Sequence, residues 1–152
     1  MAQGMASSFL FIILVISSCY ALDNVRYRDC GSQVGKVKSL SINPCTSQPC
    51  ILKRGTNVTV TINFSPSESI KKIQAVVFGV LEGVPIPFPL PNPNGCSNSG
   101  VKCPLEKSAM YKYHSIIPVK KIYPAVTLIV RWELKNSAGK KVVCLDIPAS
   151  IE

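Results

Sequence analysis

The chain has 152 residues, 47% of them hydrophobic, with 17 Lys and Arg against 8 Asp and Glu for a net charge of +9. That length predicts one domain, and the apolar content is enough for a packed core and argues against disorder. The cations fall in scattered pairs (Lys71-Lys72, Lys120-Lys121, Lys140-Lys141), not in the single block that a nucleic-acid-binding face needs.

Residues 1–21 read as a signal peptide. The apolar run 9–16 is followed by Ser17-Ser18-Cys19-Tyr20-Ala21, with small residues where a signal peptidase acts. The run is too short to cross a bilayer. Cleavage after Ala21 leaves 22–152 as the mature domain and removes Cys19. Cys30, Cys45, Cys50, Cys96, Cys103 and Cys144 remain. An even number of cysteines on the secretory route reads as three disulfides. The same route separates the chain from nucleic acid. The Lys pairs then read as a solvated surface, with attraction to anionic membranes of about 1 kcal/mol per well-placed Lys as the sharper alternative.

Along the mature chain the dominant period is two, punctuated by turn residues, which predicts an all-β sandwich. Residues 35–42 open it, with the alternation broken near Ser39 and Leu40 as a bulge would break it. Within 58–64 Val58, Val60, Ile62 and Phe64 share one face. Asn57, Thr59, Thr61 and Asn63 share the other, so the sequons Asn57-Val58-Thr59 and Asn63-Phe64-Ser65 both point outward, where glycans are tolerated.

Residues 73–81 are apolar on both faces and belong centrally or beneath a loop. The segment 83–91 alternates proline with Val84, Ile86, Phe88 and Leu90. Proline cannot donate to a ladder, so this stiff apolar ribbon is expected at an edge or as the wall of a cavity. A weaker strand at 110–117 carries Tyr111, Tyr113 and the only histidine, His114. Val126, Leu128, Val130 and Trp132 then share a face. A turn at 136–139 returns the chain through Val143, Leu145, Ile147 and Ala149 as a hairpin.

Many cysteine pairings are combinatorially open. Cys45 and Cys50 flank a proline-shaped loop, Cys96 and Cys103 a glycine-containing one, and local pairing of each is the cheapest arrangement. It leaves Cys30 with Cys144, closing a long loop worth roughly 4–5 kcal/mol in the chain-entropy model. Catalysis finds no support. A triad would need His114, no nucleophile motif accompanies it, and the cysteines lack zinc-ligand spacing. No catalytic residue, metal or cofactor is expected.

A set of motifs in order carries a resemblance. These are Asp29-Cys30-Gly31-Ser32, Asn43-Pro44-Cys45, Gln48-Pro49-Cys50, the 83–89 ribbon, Cys103-Pro104-Leu105, Pro118-Val119-Lys120, Tyr123-Pro124 and the Trp132 strand. Together they are similar to the ML lipid-recognition family, in its Niemann–Pick type C2 branch, across 22–152.

The resemblance implies an immunoglobulin-like sandwich of two antiparallel sheets with a sterol (cholesterol) held between them. It also implies the pairing Cys30–Cys144, Cys45–Cys50 and Cys96–Cys103. By position it places Phe88, Val119 and Tyr123 at the entrance, with Leu52, Val126, Leu128, Val130 and Trp132 inside. It implies a monomer acting in a late endosomal or lysosomal lumen or after secretion. There the sterol passes to a large membrane cholesterol transporter through Phe78, Val80, Leu81 and Gly83.

Two positions depart from the family pattern. Phe78 precedes Gly79 where relatives commonly carry His, which puts a pH-dependent hand-off there in doubt. Leu145 stands where vertebrate members carry Trp. The chain is more similar to arthropod members, a branch that includes carriers or sensors of other lipids: fatty acids, semiochemicals or bacterial lipids.

Overall fold

The computed structural model describes residues 25–152, and the expected signal peptide 1–21 lies outside them. Where the sequence alternates, strands form. In chain order they are β1 (Arg28–Asp29), β2 (Gly35–Asn43), β3 (Cys50–Leu52), β4 (Thr56–Pro66), β5 (Gln74–Leu81), β6 (Val84–Phe88), β7 (Tyr111–Val119), β8 (Thr127–Lys135) and β9 (Lys141–Ile151).

The larger sheet runs β1-β9-β8-β5-β6, with β3 added to β9. The smaller runs β2-β4-β7. All neighbours are antiparallel except β3, whose three residues lie parallel to the end of β9. The bulge in β2 falls between Val37 and Ser39, one step before the break in alternation predicted it.

The proline ribbon is an edge strand. It pairs only with β5, Val77 opposite Phe88 and Leu81 opposite Val84, so the donors its prolines lack are not missed by a second neighbour. The β8–β9 turn is held by Asn136, whose side-chain oxygen accepts from the N–H groups of Ala138 and Lys140. Gly139 there adopts φ 77°, a conformation costly for any residue with a Cβ.

Three disulfides brace the sandwich: Cys30–Cys144, Cys45–Cys50 and Cys96–Cys103. The first ties the β1 segment to the middle of β9. On that outer face β9 is not polar, as simple alternation would make it: Val142, Cys144 and Asp146 are all buried.

Asp146 is covered by two arginines. Arg131 donates to it through Nε at 2.7 Å and Nη2 at 2.9 Å, and Arg28 approaches to 3.4 Å. The Arg131 hydrogen bonds hold the carboxyl below its ordinary value, against the opposing effect of burial. Beside it the buried Glu133 pairs with Lys135 at 3.4 Å and Lys141 at 3.3 Å.

Between the sheets, side-chain size is graded along the strands. Towards one end Phe64, Ile62 and Tyr113 of the small sheet meet Trp132, Leu134 and Leu145 of the large one, and this half is fully packed. Towards the other end the facing residues shrink to Val58, Val60 and Val119 against Gly79, Val130 and Ala149. Close packing needs volume to fill the roughly 10 Å between sheets. The second half does not supply it.

Candidate functional site

The small residues leave an apolar cavity of about 80 Å³ between the sheets. Trp132 stands at the boundary with the packed half. It is fully buried and meets Tyr113 edge to face, with ring centroids 6.0 Å apart and planes at 65°. Its Nε1 is buried without a hydrogen-bond partner among the described residues, and burial pushes the Tyr113 phenol up.

The walls follow from register. Val130 faces Gly79 on one neighbour and Ile147 on the other, and Leu128 faces Ala149, so β5, β8 and β9 give one continuous wall. Val58 and Val60 of β4 with Ile117 and Val119 of β7 form the opposite wall.

The lining is completed by β6 and by the segment where β7 crosses to β8. Phe88, the last residue of β6, and Tyr123 meet there at 5.6 Å. The loop carrying Tyr123 is anchored: Gly55 N–H donates to the Val119 carbonyl at 2.6 Å, and Arg54 Nη1 to the Tyr123 carbonyl at 3.3 Å. Burial raises the Tyr123 phenol from its ordinary value. Around this loop Lys53, Arg54, Lys120 and Lys121 are exposed, and Ile122 is 86% exposed.

Of the residues that the sequence suggested for ligand contact, Leu52, Phe88, Val119, Tyr123, Leu128, Val130 and Trp132 all line this cavity. Val126 is not among the lining residues. β8 begins only at Thr127, and Val126 lies beyond the sheet, its carbonyl accepting the Ile151 N–H at 2.8 Å.

Lining residues that sequence reasoning missed include Ile42, Val77, Ile117, Ile147 and Ile151. Ile147 belonged to a face already identified by alternation. What alternation lacked was any sign that the face borders a void. Phe78 registers with Arg131, and Val80, Leu81 and Gly83 follow it into the β5–β6 hairpin, whose turn holds Glu82 and Gly83 at positive φ.

The sequons sit on the outer face of β4. Asn57 is exposed, whereas Asn63 is half-buried and donates from Nδ2 to Ser39 Oγ at 2.7 Å.

Comparison with known proteins agrees with this architecture. The ML domain model matches residues 24–151. The NPC intracellular cholesterol transporter 2 of Bos taurus is 38% identical over 93% of this chain and 95% of its own length. Homolog a of that protein from Drosophila melanogaster is 42% identical over 84% of this chain and 88% of its own.

The crystal structure of a Niemann-Pick type C2 protein from Japanese carpenter ant superposes with a TM-score of 0.80 at 39% identity. It covers 84% of this chain and 99% of that one. The fold, the three disulfides and these similarities across nearly the whole length lead to one assignment: the chain belongs to the ML domain family and is a homologue of the Niemann-Pick type C2 proteins.

Proposed function

We propose that this chain binds and transfers a sterol, carrying it between the two sheets with its hydrocarbon tail towards Trp132 and its polar end at the Phe88–Tyr123 mouth. The observation that carries the reading is the grading of side-chain size. One half of the sandwich is closely packed, and the other encloses a cavity with an almost wholly apolar lining that includes the aromatic pair Phe88 and Tyr123. Relatives of similar length bear the name of cholesterol transporters, which favours a sterol as cargo.

A sterol of about 28 heavy atoms needs several hundred Å³, more than the cavity of about 80 Å³ offers, so loading requires the sheets to part at the mouth. At about 0.3 kcal/mol per atom such a ligand binds with roughly −8 kcal/mol, a micromolar affinity or somewhat better.

The acceptors on this reading are an anionic membrane and a large membrane cholesterol transporter. The transporter contacts would be Phe78, Val80, Leu81 and Gly83. Disulfides point to an oxidising route, and the site of action is extracellular fluid or the endolysosomal lumen, with the protein working as a monomer.

A second reading, a carrier or sensor of another lipid (fatty acid, semiochemical or bacterial lipid), is favoured by one feature. The lining offers hardly any polar group to choose among apolar ligands, so shape alone discriminates.

Native mass spectrometry of the secreted protein, with extraction and identification of its lipid, separates the two. One sterol per chain supports sterol transfer, and a fatty acid or glycolipid supports the second reading. A protein that emerges empty and takes up no added sterol refutes the carrier function.

A further inference from the structure

We propose that Asn57 is the N-glycosylated residue of this chain and Asn63 is not. Its glycan shields the small-sheet flank of the mouth, so that lipid acceptors approach over the β5–β6 hairpin. The proposal about approach rests on the lipid-carrier reading; the glycan assignment rests only on passage through the secretory route.

The two sequons differ in surroundings although they share a strand face. Asn57 is the second residue of β4, at the end of the small sheet, exposed, and its side chain makes no hydrogen bond among the described residues. Its register partner on β7 is Pro118, which brings no N–H group.

Asn63 lies in mid-ladder, with Ser39 on one side and Lys112 on the other. Its Nδ2, the atom a glycan must occupy, already donates to Ser39 Oγ at 2.7 Å, and a sugar there would sit against both neighbouring strands. The residue between it and its hydroxyl partner, Phe64, is fully buried. Modification also requires the third residue's hydroxyl to turn back onto the Asn amide. Pro66 directly after Ser65 stiffens the chain where it would have to turn.

The place of Asn57 gives the glycan its consequence. Val58, next in the chain, lines the cavity, and alternation sends the Asn57 side chain to the outer face. Thr56 pairs with Val119 and Asn57 with Pro118, and both partners border the cavity. A branched glycan at this point stands beside the mouth and excludes a membrane or protein from that flank.

The opposite flank has no sequon. There the β5–β6 hairpin presents Val84, 60% exposed, and Ile86, 48% exposed. Both are in phase along β6 with Phe88 of the mouth.

The test uses the full chain secreted from eukaryotic cells. Peptide mapping after release of the glycan by a peptide N-glycosidase in heavy-oxygen water, which hydrolyses the glycosylated amide to a labelled Asp, is expected to label position 57 and leave Asn63 unlabelled. N57Q should lose one glycan mass, and N63Q should keep it. A label on Asn63, or none on Asn57, overturns the assignment.

The second arm moves the glycan. In an N57Q background, Glu82→Asn with Val84→Thr and Pro85→Ala sets a sequon at the hairpin turn with no proline directly after its hydroxyl residue. Transfer of dehydroergosterol to anionic vesicles is expected to slow by more than about tenfold, with binding in solution unchanged. Unaltered transfer by the glycosylated hairpin variant overturns the flank assignment. If even the wild type fails to bind dehydroergosterol, the lipid-carrier reading falls and the approach with it, while the label map still decides the glycan site.

Discussion

Phe88 of β6 and Tyr123 of the β7–β8 loop both line the cavity and meet edge to face, their ring centroids 5.6 Å apart and their planes at 64°. An aromatic pair of this geometry is worth about 0.5–1.5 kcal/mol beyond the area it buries. Opening the mouth must break it. Tyr123→Ala should therefore raise the rate at which bound sterol leaves by about tenfold and weaken binding. Val119→Phe, which puts a ring into the throat, should abolish binding. Both variants should melt within a few degrees of the wild type, since neither position belongs to the packed half. Stopped-flow release of dehydroergosterol and thermal melts followed by circular dichroism check this. Unchanged binding in both would place the ligand elsewhere.

Trp132 gives the protein an internal reporter, being the only tryptophan in the chain and part of the cavity lining. Its emission should lie at the short wavelengths of a buried indole. Energy transfer to dehydroergosterol should saturate at one ligand per chain. Trp132→Phe should remove the signal and cost about 2 kcal/mol, because Phe keeps part of the contact with Tyr113 but leaves a void beside it. A saturable ligand that never changes Trp132 emission would bind outside the cavity.

Much of this architecture was legible in the residues, for reasons that differ by strand. β4 faces water on one side and the core on the other, so Val58, Val60, Ile62 and Phe64 alternate cleanly with polar residues. β9 is read less fully. Arginine side chains and the β1 segment cover its outer face, so Val142, Cys144 and Asp146 are buried as deeply as the residues that alternate with them. β3 is three residues long and pairs in parallel with a strand about a hundred residues away, too short for any period to appear. The cavity lining was mostly reachable by parity. The cavity itself was not, because the void arises from the combined smallness of Gly79, Val60 and Ala149, which lie on three strands and meet only across the sandwich.

The disulfides should contribute unequally. Cys30–Cys144 spans a sequence separation of 114 and Cys45–Cys50 one of 5. In the chain-entropy model these are worth about 4–5 and about 2 kcal/mol. Replacing both residues of the first bridge with Ala should lower the denaturation midpoint at least twice as far as the same change in the second. Equal losses would mean that the denatured chain is already compact without the long bridge.

Asp146 sets how the fold responds to acid. Its carboxyl is held below the ordinary value by Arg131, so its contribution is fully present above the unfolded value near 3.9. That contribution is lost as pH falls through the lower folded value. Asp146→Asn should therefore destabilise the protein by on the order of 2 kcal/mol, by the same amount at pH 7 and pH 5, since the carboxylate is ionised at both. The gap between variant and wild type should close only below about pH 4. Urea denaturation across that range measures it. A gap that already closes at pH 5 would mean that Arg131 does not hold the group ionised.

Ala149 separates stability from function more sharply than any other position. It is buried, faces Leu128 across the β8–β9 ladder and lines the cavity, so a larger side chain there grows into space and not into packed neighbours. Ala149→Leu adds three carbons. Filling a void commonly stabilises a fold by about 0.5–2 kcal/mol, whereas the same bulk forced into a packed core costs about 1–3. If the hollow half is a binding site, the variant should melt at or above the wild-type temperature and yet take up no sterol. If it is an ordinary packing defect, the variant should be more stable and bind as before. A loss of both properties would mean that the wall cannot accept the added volume. Val60→Ile, a smaller increment on the opposite wall, then repeats the comparison with less strain.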